Sequence, residues 1–148
     1  MADAFVAYLH YLGMMCLLAA LVVEYLLLAG DLDYGRARQL VNADLVYWIA
    51  LVLVLASGVI RLTSLGKGTP FYAANPLFHA KMVLFVAVAV LYLYPSITLA
   101  RLRGRLRSGA MPDLGPAAHR LVSVLRIQVA VFLLIPLLAV LMGRGFGY

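Results

Sequence analysis

Four long runs of apolar residues, at positions 5–29, 44–62, 77–100 and 121–142, decide what this chain can fold into. Each is close to the roughly 20 residues that carry a helix across about 30 Å of hydrocarbon. Hydrocarbon offers backbone N–H and C=O groups no partners, so a run of that kind must close its own hydrogen bonds as a helix. Composition agrees: 66% of the 148 residues are hydrophobic and 12% are charged, against roughly 45–50% apolar and 25% charged in soluble domains. The expected fold is all-α, an integral membrane four-helix bundle forming one domain over residues 1–148. The first run has only Asp3 ahead of it, no basic leader and no small-residue cleavage pattern after it, and reads as a retained helix. The single cysteine, Cys16, lies inside that run and reads as a small buried hydrophobe.

Orientation follows from the basic residues, which membrane proteins keep on the cytoplasmic side. Arg36, Arg38, Arg101, Arg103, Arg105, Arg107 and Arg120 fall in the first and third connections. Arg61, Lys67, Lys81 and Arg144 fall on the other side. Seven against four, with "RLRGRLR" dominating, places both termini and the connection between the second and third helices on the outer, periplasmic side of a bacterial inner (plasma) membrane. The cluster is an orientation and anionic-lipid signal, and a patch pressed against a membrane excludes nucleic acid as a partner. Of the connections, "GDLDYGRARQLVNAD" offers Gly30 as a helix terminator and Asn42 or Asp44 as a cap, and "SLGKGTPFYAANP" ends with Pro76 in a first helical turn. Pro95 and Pro136 fall inside the third and fourth helices.

Ionisable side chains in a spanning segment are costly and mark candidate sites. They are His10 and Glu24 in the first helix, Arg61 at the end of the second, His79 and Lys81 at the start of the third, and His119 and Arg126 in the fourth. The first and third helices enter from the same side, so His10 and His79 share a depth on two helices. Two such histidines suit the axial positions of a b-type haem, with Met14 and Met82 as alternates. Arg61, Lys67, Lys81, Tyr72 and Asn75 lie at the same end and could meet the propionates. Lys81 is about 200° round its helix from His79, so the two cannot share a face. The bland alternatives are interfacial histidines, methionines as core filler and basic stems that snorkel to the headgroups. Glu24 lies about 21 Å below His10 on nearly the same face. There it should join Asp44 and a cation, Arg126 being one choice, in an inner polar cluster that is either a structural ion pair or a proton or quinone site. His119 reads as interfacial.

"YLHYLG", "ADLVYW", "SGVIRL", "GKGTPFYAANPLFHAKM" and "LYPS" together resemble the bacterial membrane family called domain of unknown function 2214. The string from "GKG" to "FHAK" is the most specific part, and the resemblance runs from the first helix to the third. In layout that family is similar to the HemJ-type protoporphyrinogen oxidases and the CopD-like copper proteins. In HemJ-type proteins an early histidine and a lysine early in a later helix are associated with haem and activity, places that His10 and Lys81 occupy here. The resemblance implies a haem b-binding membrane redox protein.

Four functions therefore stand open. The first is cytochrome b-like electron transfer between a quinol and a periplasmic redox partner, in a bundle that could pair as a homodimer. An enzyme reading is a haem-dependent oxidoreductase of the HemJ kind, acting on a porphyrinogen. Copper handling would use His10, His79, Met14 and Met82, and the last is a structural membrane subunit without cofactor.

Overall fold

The computed structural model describes residues 1–64, 69–110 and 112–147. Four of its helices are long and apolar enough to cross a membrane: α1 (Ala2–Leu28), α2 (Tyr34–Thr63), α4 (Pro76–Arg107) and α5 (Ala117–Gly143). A single short helix, α3 (Thr69–Ala73), lies between the second and third spans. They form the expected four-helix membrane bundle, with no strand among the described residues.

The helices overrun the apolar stretches, because a helix does not end where hydrocarbon does. It ends where its terminal backbone groups find other partners. α2 begins ten residues before the expected 44, since the Asp33 carboxylate accepts the Arg36 N–H at 2.7 Å and caps the helix. Asn42 and Asp44, the expected caps, are thus interior residues of α2. Arg36 then reaches back to α1, donating from one guanidinium nitrogen to the Leu26 and Leu27 carbonyls at 3.0 Å each. Those are orphan acceptors at the end of α1, so one residue pair closes both ends of the first hairpin. α4 likewise runs through "RLRGRLR" to Arg107, carrying its arginines as a helical extension beyond the span.

Each long helix buries a seam with the spacing of alternately three and four residues expected of near-antiparallel bundles. On α4 the seam reads Phe85, Val88, Tyr92, Pro95, Leu99 and Leu102, and on α5 Leu121, Leu125, Gln128, Phe132 and Ile135. On α1 it passes through Gly13, Leu17, Leu21, Glu24 and Leu28. Gly13 sets the closeness of α1 to α2. A Cβ there would come 2.8 Å from Val54 Cγ2 and 3.4 Å from the Val54 nitrogen. Outside the seams, exposed Val, Leu and Ile side chains cover the lipid-facing surface.

Gly13→Leu is expected to destabilise the bundle by about 1–3 kcal/mol through overpacking. Gly104→Ala, where an added Cβ meets nothing within 4 Å, should be neutral or stabilising by up to about 1 kcal/mol. Detergent-titrated unfolding of the two variants beside the wild type measures both.

Candidate functional site

At the end of the bundle away from the arginine-rich loops, α1, α2 and α4 bring together His10, Ser57, Arg61 and Lys81. His10 is half-buried, and its Nδ1 lies 3.2 Å from the Val54 carbonyl oxygen and 3.1 Å from Ser57 Oγ. A carbonyl can only accept, so Nδ1 carries the ring proton and donates it. Ser57 fits that assignment, since its own hydroxyl points to the Leu53 carbonyl at 2.5 Å and leaves its oxygen free to accept from His10. In the neutral ring the lone pair is then on Nε2, which has no hydrogen-bond partner among the described residues. Metal-ligating histidines are oriented in this manner, one nitrogen donating to a backbone carbonyl and the other free to bind. Gly58 makes room for the ring, because a Cβ at that position would stand 3.3 Å from His10 Cε1.

Two cations surround this histidine. The charges of Lys81 and Arg61 both act on His10, and that of Arg61 acts on Lys81. The Arg61 guanidinium lies 5.7 Å from the Tyr11 ring centroid, a cation–π contact, while its Nε is buried without a hydrogen-bond partner among the described residues. The one ion pair among the described residues is elsewhere, between Arg103 and Asp44. Two neighbouring positive charges at the head of the spans therefore have no acid between them. Like charges so placed repel strongly in a low dielectric, and an anion settling between them would relieve that repulsion. Beside Met82, the neighbour of Lys81, an apolar groove of about 340 Å³ runs between α2 and α4, lined among others by Trp48, Leu51, Leu55, Phe85 and Ala89.

The other expected members are placed differently. His79 is exposed, with Nε2 2.9 Å from the Ala73 carbonyl oxygen. The turn of α4 that faces the bundle carries Lys81, about 200° away. Asn75, expected to meet propionates, is fully buried and engaged at both ends of its amide: Oδ1 accepts the Leu77 N–H at 2.8 Å to cap α4, and Nδ2 donates to the Phe146 carbonyl at 3.1 Å. It is a structural tie between α4 and the C-terminal turn. Tyr72 packs its ring 5.6 Å from that of Phe78, and Lys67 lies outside the described residues. Met14 is half-buried against the core and Met82 is exposed along the groove. Among the described residues no three His, Cys, Asp or Glu side chains gather as a metal-holding group.

A second polar group sits inside the bundle toward the arginine-rich end. Glu24 and Asp44 do meet there, as their depth required, and Tyr92 of α4 joins them. Tyr92 Oη is 2.5 Å from Glu24 Oε1 and 3.1 Å from Asp44 Oδ1. The Tyr92 ring is stacked on Tyr47 with centroids 3.4 Å apart. Trp48, edge-on to Tyr92, donates its indole N–H to Ser96 Oγ at 2.8 Å. The cation is Arg103, whose Nη2 lies 3.7 Å from Asp44 Oδ2 and donates to the Val41 carbonyl at 3.2 Å. Arg126, expected in this cluster, is exposed on α5 with its guanidinium 5.9 Å from the Tyr25 ring centroid. The physical reason is its register, two residues before the Gln128 position on the buried seam of α5. Tyr92 was missed because a tyrosine in an apolar run looks like ordinary filler. Its spacing did hold a signal, since eleven residues place it within about 20° of Lys81 on one face.

The profile of a family described as "Predicted membrane protein (DUF2214)" matches residues 2–147. No curated protein and no solved structure matches the chain.

Tyr92→Phe removes the hydroxyl shared by two buried carboxyls and is expected to cost about 1–3 kcal/mol. Arg126→Ala, on an exposed face, should stay within about 0.5 kcal/mol of wild type. Equal losses in a detergent-unfolding titration would contradict this assignment of the cluster.

Proposed function

We propose that this chain, which belongs to the DUF2214 family of predicted membrane proteins, is a membrane redox protein that binds a b-type haem at its outer end. The observation that carries the reading is the set of His10, Arg61 and Lys81: a histidine with Nδ1 anchored and Nε2 free, beside two cations without an acidic partner among the described residues. These residues fit the group. His10 Nε2 would hold the iron, Ser57 and the Val54 carbonyl would keep the ring's tautomer and direction, and Arg61 and Lys81 would pair with the two propionates. The apolar groove beside Met82 supplies a surface on which a macrocycle can leave water. When bound, the haem supplies a one-electron redox centre.

His79 stays off this set, so in this reading His10 would be the histidine that holds the iron. A quinol donor, an outer-face acceptor, a paired bundle and a bacterial inner membrane belong to the same proposal. A porphyrinogen is a second reading that rests on the same pair of cations, because its carboxylates would be held as propionates are.

The test is the absorption spectrum of protein purified in detergent from haem-replete cells, oxidised and then reduced with dithionite. The wild type should show a Soret band and reduced α and β bands. His10→Ala should abolish them, Arg61→Ala with Lys81→Ala should lower haem occupancy, and His79→Ala should leave the spectrum unchanged. A colourless wild type, or a spectrum indifferent to His10, would sink the proposal.

A further inference from the structure

The outer site makes no use of Glu24, the most deeply buried acid in the chain. It stands at 0% exposure on the α1 seam, and one of its oxygens, Oε2, has no hydrogen-bond partner among the described residues. We propose that Glu24 is a proton-binding group, carrying an exchangeable proton in the bundle core and trading it with the arginine-rich face through Tyr92 and Asp44. This holds whatever the outer site binds.

A count of hydrogens carries the inference. Tyr92 Oη makes two short contacts, at 2.5 Å to Glu24 Oε1 and at 3.1 Å to Asp44 Oδ1. A phenol has one proton, so it can donate to one carboxyl only. The second contact is a hydrogen bond only if the other carboxyl donates to the phenol, which requires that carboxyl to be a neutral acid. With both carboxyls ionised, two oxygens with lone pairs would face each other in a buried site with no hydrogen between them.

Arg103 decides which of the two is neutral. It lies against Asp44, making Asp44 the ionised member. The chain of donation then runs from Glu24 Oε1–H to Tyr92 Oη, and from Tyr92 O–H to Asp44 Oδ1. The unpartnered Oε2 agrees independently. A carboxylate would turn half of its charge toward nothing, whereas the carbonyl oxygen of a neutral acid is far cheaper to leave unpaired. The groups facing Glu24 from each packed element are few. α2 presents Asp44 and Tyr47, and α4 presents Tyr92, with Arg103 acting through Asp44. α5 places the uncharged Gln128 in the core, its Nε2 donating to the Val88 carbonyl at 3.0 Å, one turn from Tyr92. Its Arg126 is turned outward over Tyr25. No cation in this set touches Glu24.

The same geometry gives the proton a way in and out. The Arg103 side chain is 37% exposed and that of Asp44 is 7% exposed, so Asp44 is the member nearest the surface. A proton taken up by Asp44 passes to Tyr92 Oη as the phenol proton moves on to Glu24. Release runs the same transfers backwards, and every oxygen keeps its proper count of bonds.

Infrared spectroscopy of the full chain in lipid at neutral pH tests this directly. The other four acids, Asp3, Asp31, Asp33 and Asp113, are all exposed, so a carboxylic-acid C=O stretch from a dry environment can come only from Glu24 or Asp44. The expected result is one such band in the wild type, shifted on equilibration in D2O and lost in Glu24→Gln. Should that variant fail to fold, Glu24→Asp is expected to move the band. A wild type without the band, a band that D2O leaves in place, or a band that responds to Asp44→Asn and ignores changes at Glu24 would each overturn the proposal.

Discussion

In hydrocarbon every backbone N–H and C=O must be satisfied within the protein, and the rest of this structure depends on that constraint. It turns each apolar run into a helix and leaves only the helix ends in need of outside partners. Asp33, Arg36 and Asn75 meet that need at three of those ends, all beyond the apolar runs. Once the helices exist, lipid satisfies an apolar surface as well as protein does. What side chains must do together is therefore confined to the seams, where close packing and polar contacts act without competition from water.

The two polar groups of the bundle are consequences of this confinement. His10, Ser57, Arg61 and Lys81 lie toward one end of the seams, and Glu24, Asp44 and Tyr92 toward the other. A polar side chain facing lipid has no remedy but to snorkel, whereas one on a seam finds partners from other helices. The difference is plain in two pairs close in sequence. Lys81 is half-buried one turn ahead of the α4 seam while His79 is exposed, and Gln128 is buried while Arg126 is exposed beside the half-buried ring of Tyr25. The first group gathers two basic side chains beside an imidazole, and the second gathers carboxyl oxygens around a phenol.

Much of this was legible in the residues. The number of spans, their order and the end of the bundle at which the arginines gather follow from the sequence alone, because they depend only on how many apolar residues occur in a row and on what lies between the runs. The meeting of Glu24 with Asp44 was equally accessible, since both depths can be counted from the helix ends. Helix boundaries were less so. Asp33 caps α2 eleven residues ahead of its apolar run, and a cap depends on local hydrogen bonding that hydropathy does not report.

By itself, then, the sequence determined that this is a four-span membrane bundle and which few residues would be expensive to keep inside it. Only the tertiary structure decided how each helix is rotated about its axis. Rotation selects Lys81 over His79 to stand by His10, brings Tyr92 between two carboxyls, gives Asp44 its cation from Arg103 and leaves Arg126 outside. It is set by the packing of all four seams at once, including the tight approach of α1 to α2 that Gly13 permits. Such a collective fit has no single residue or spacing from which it can be read.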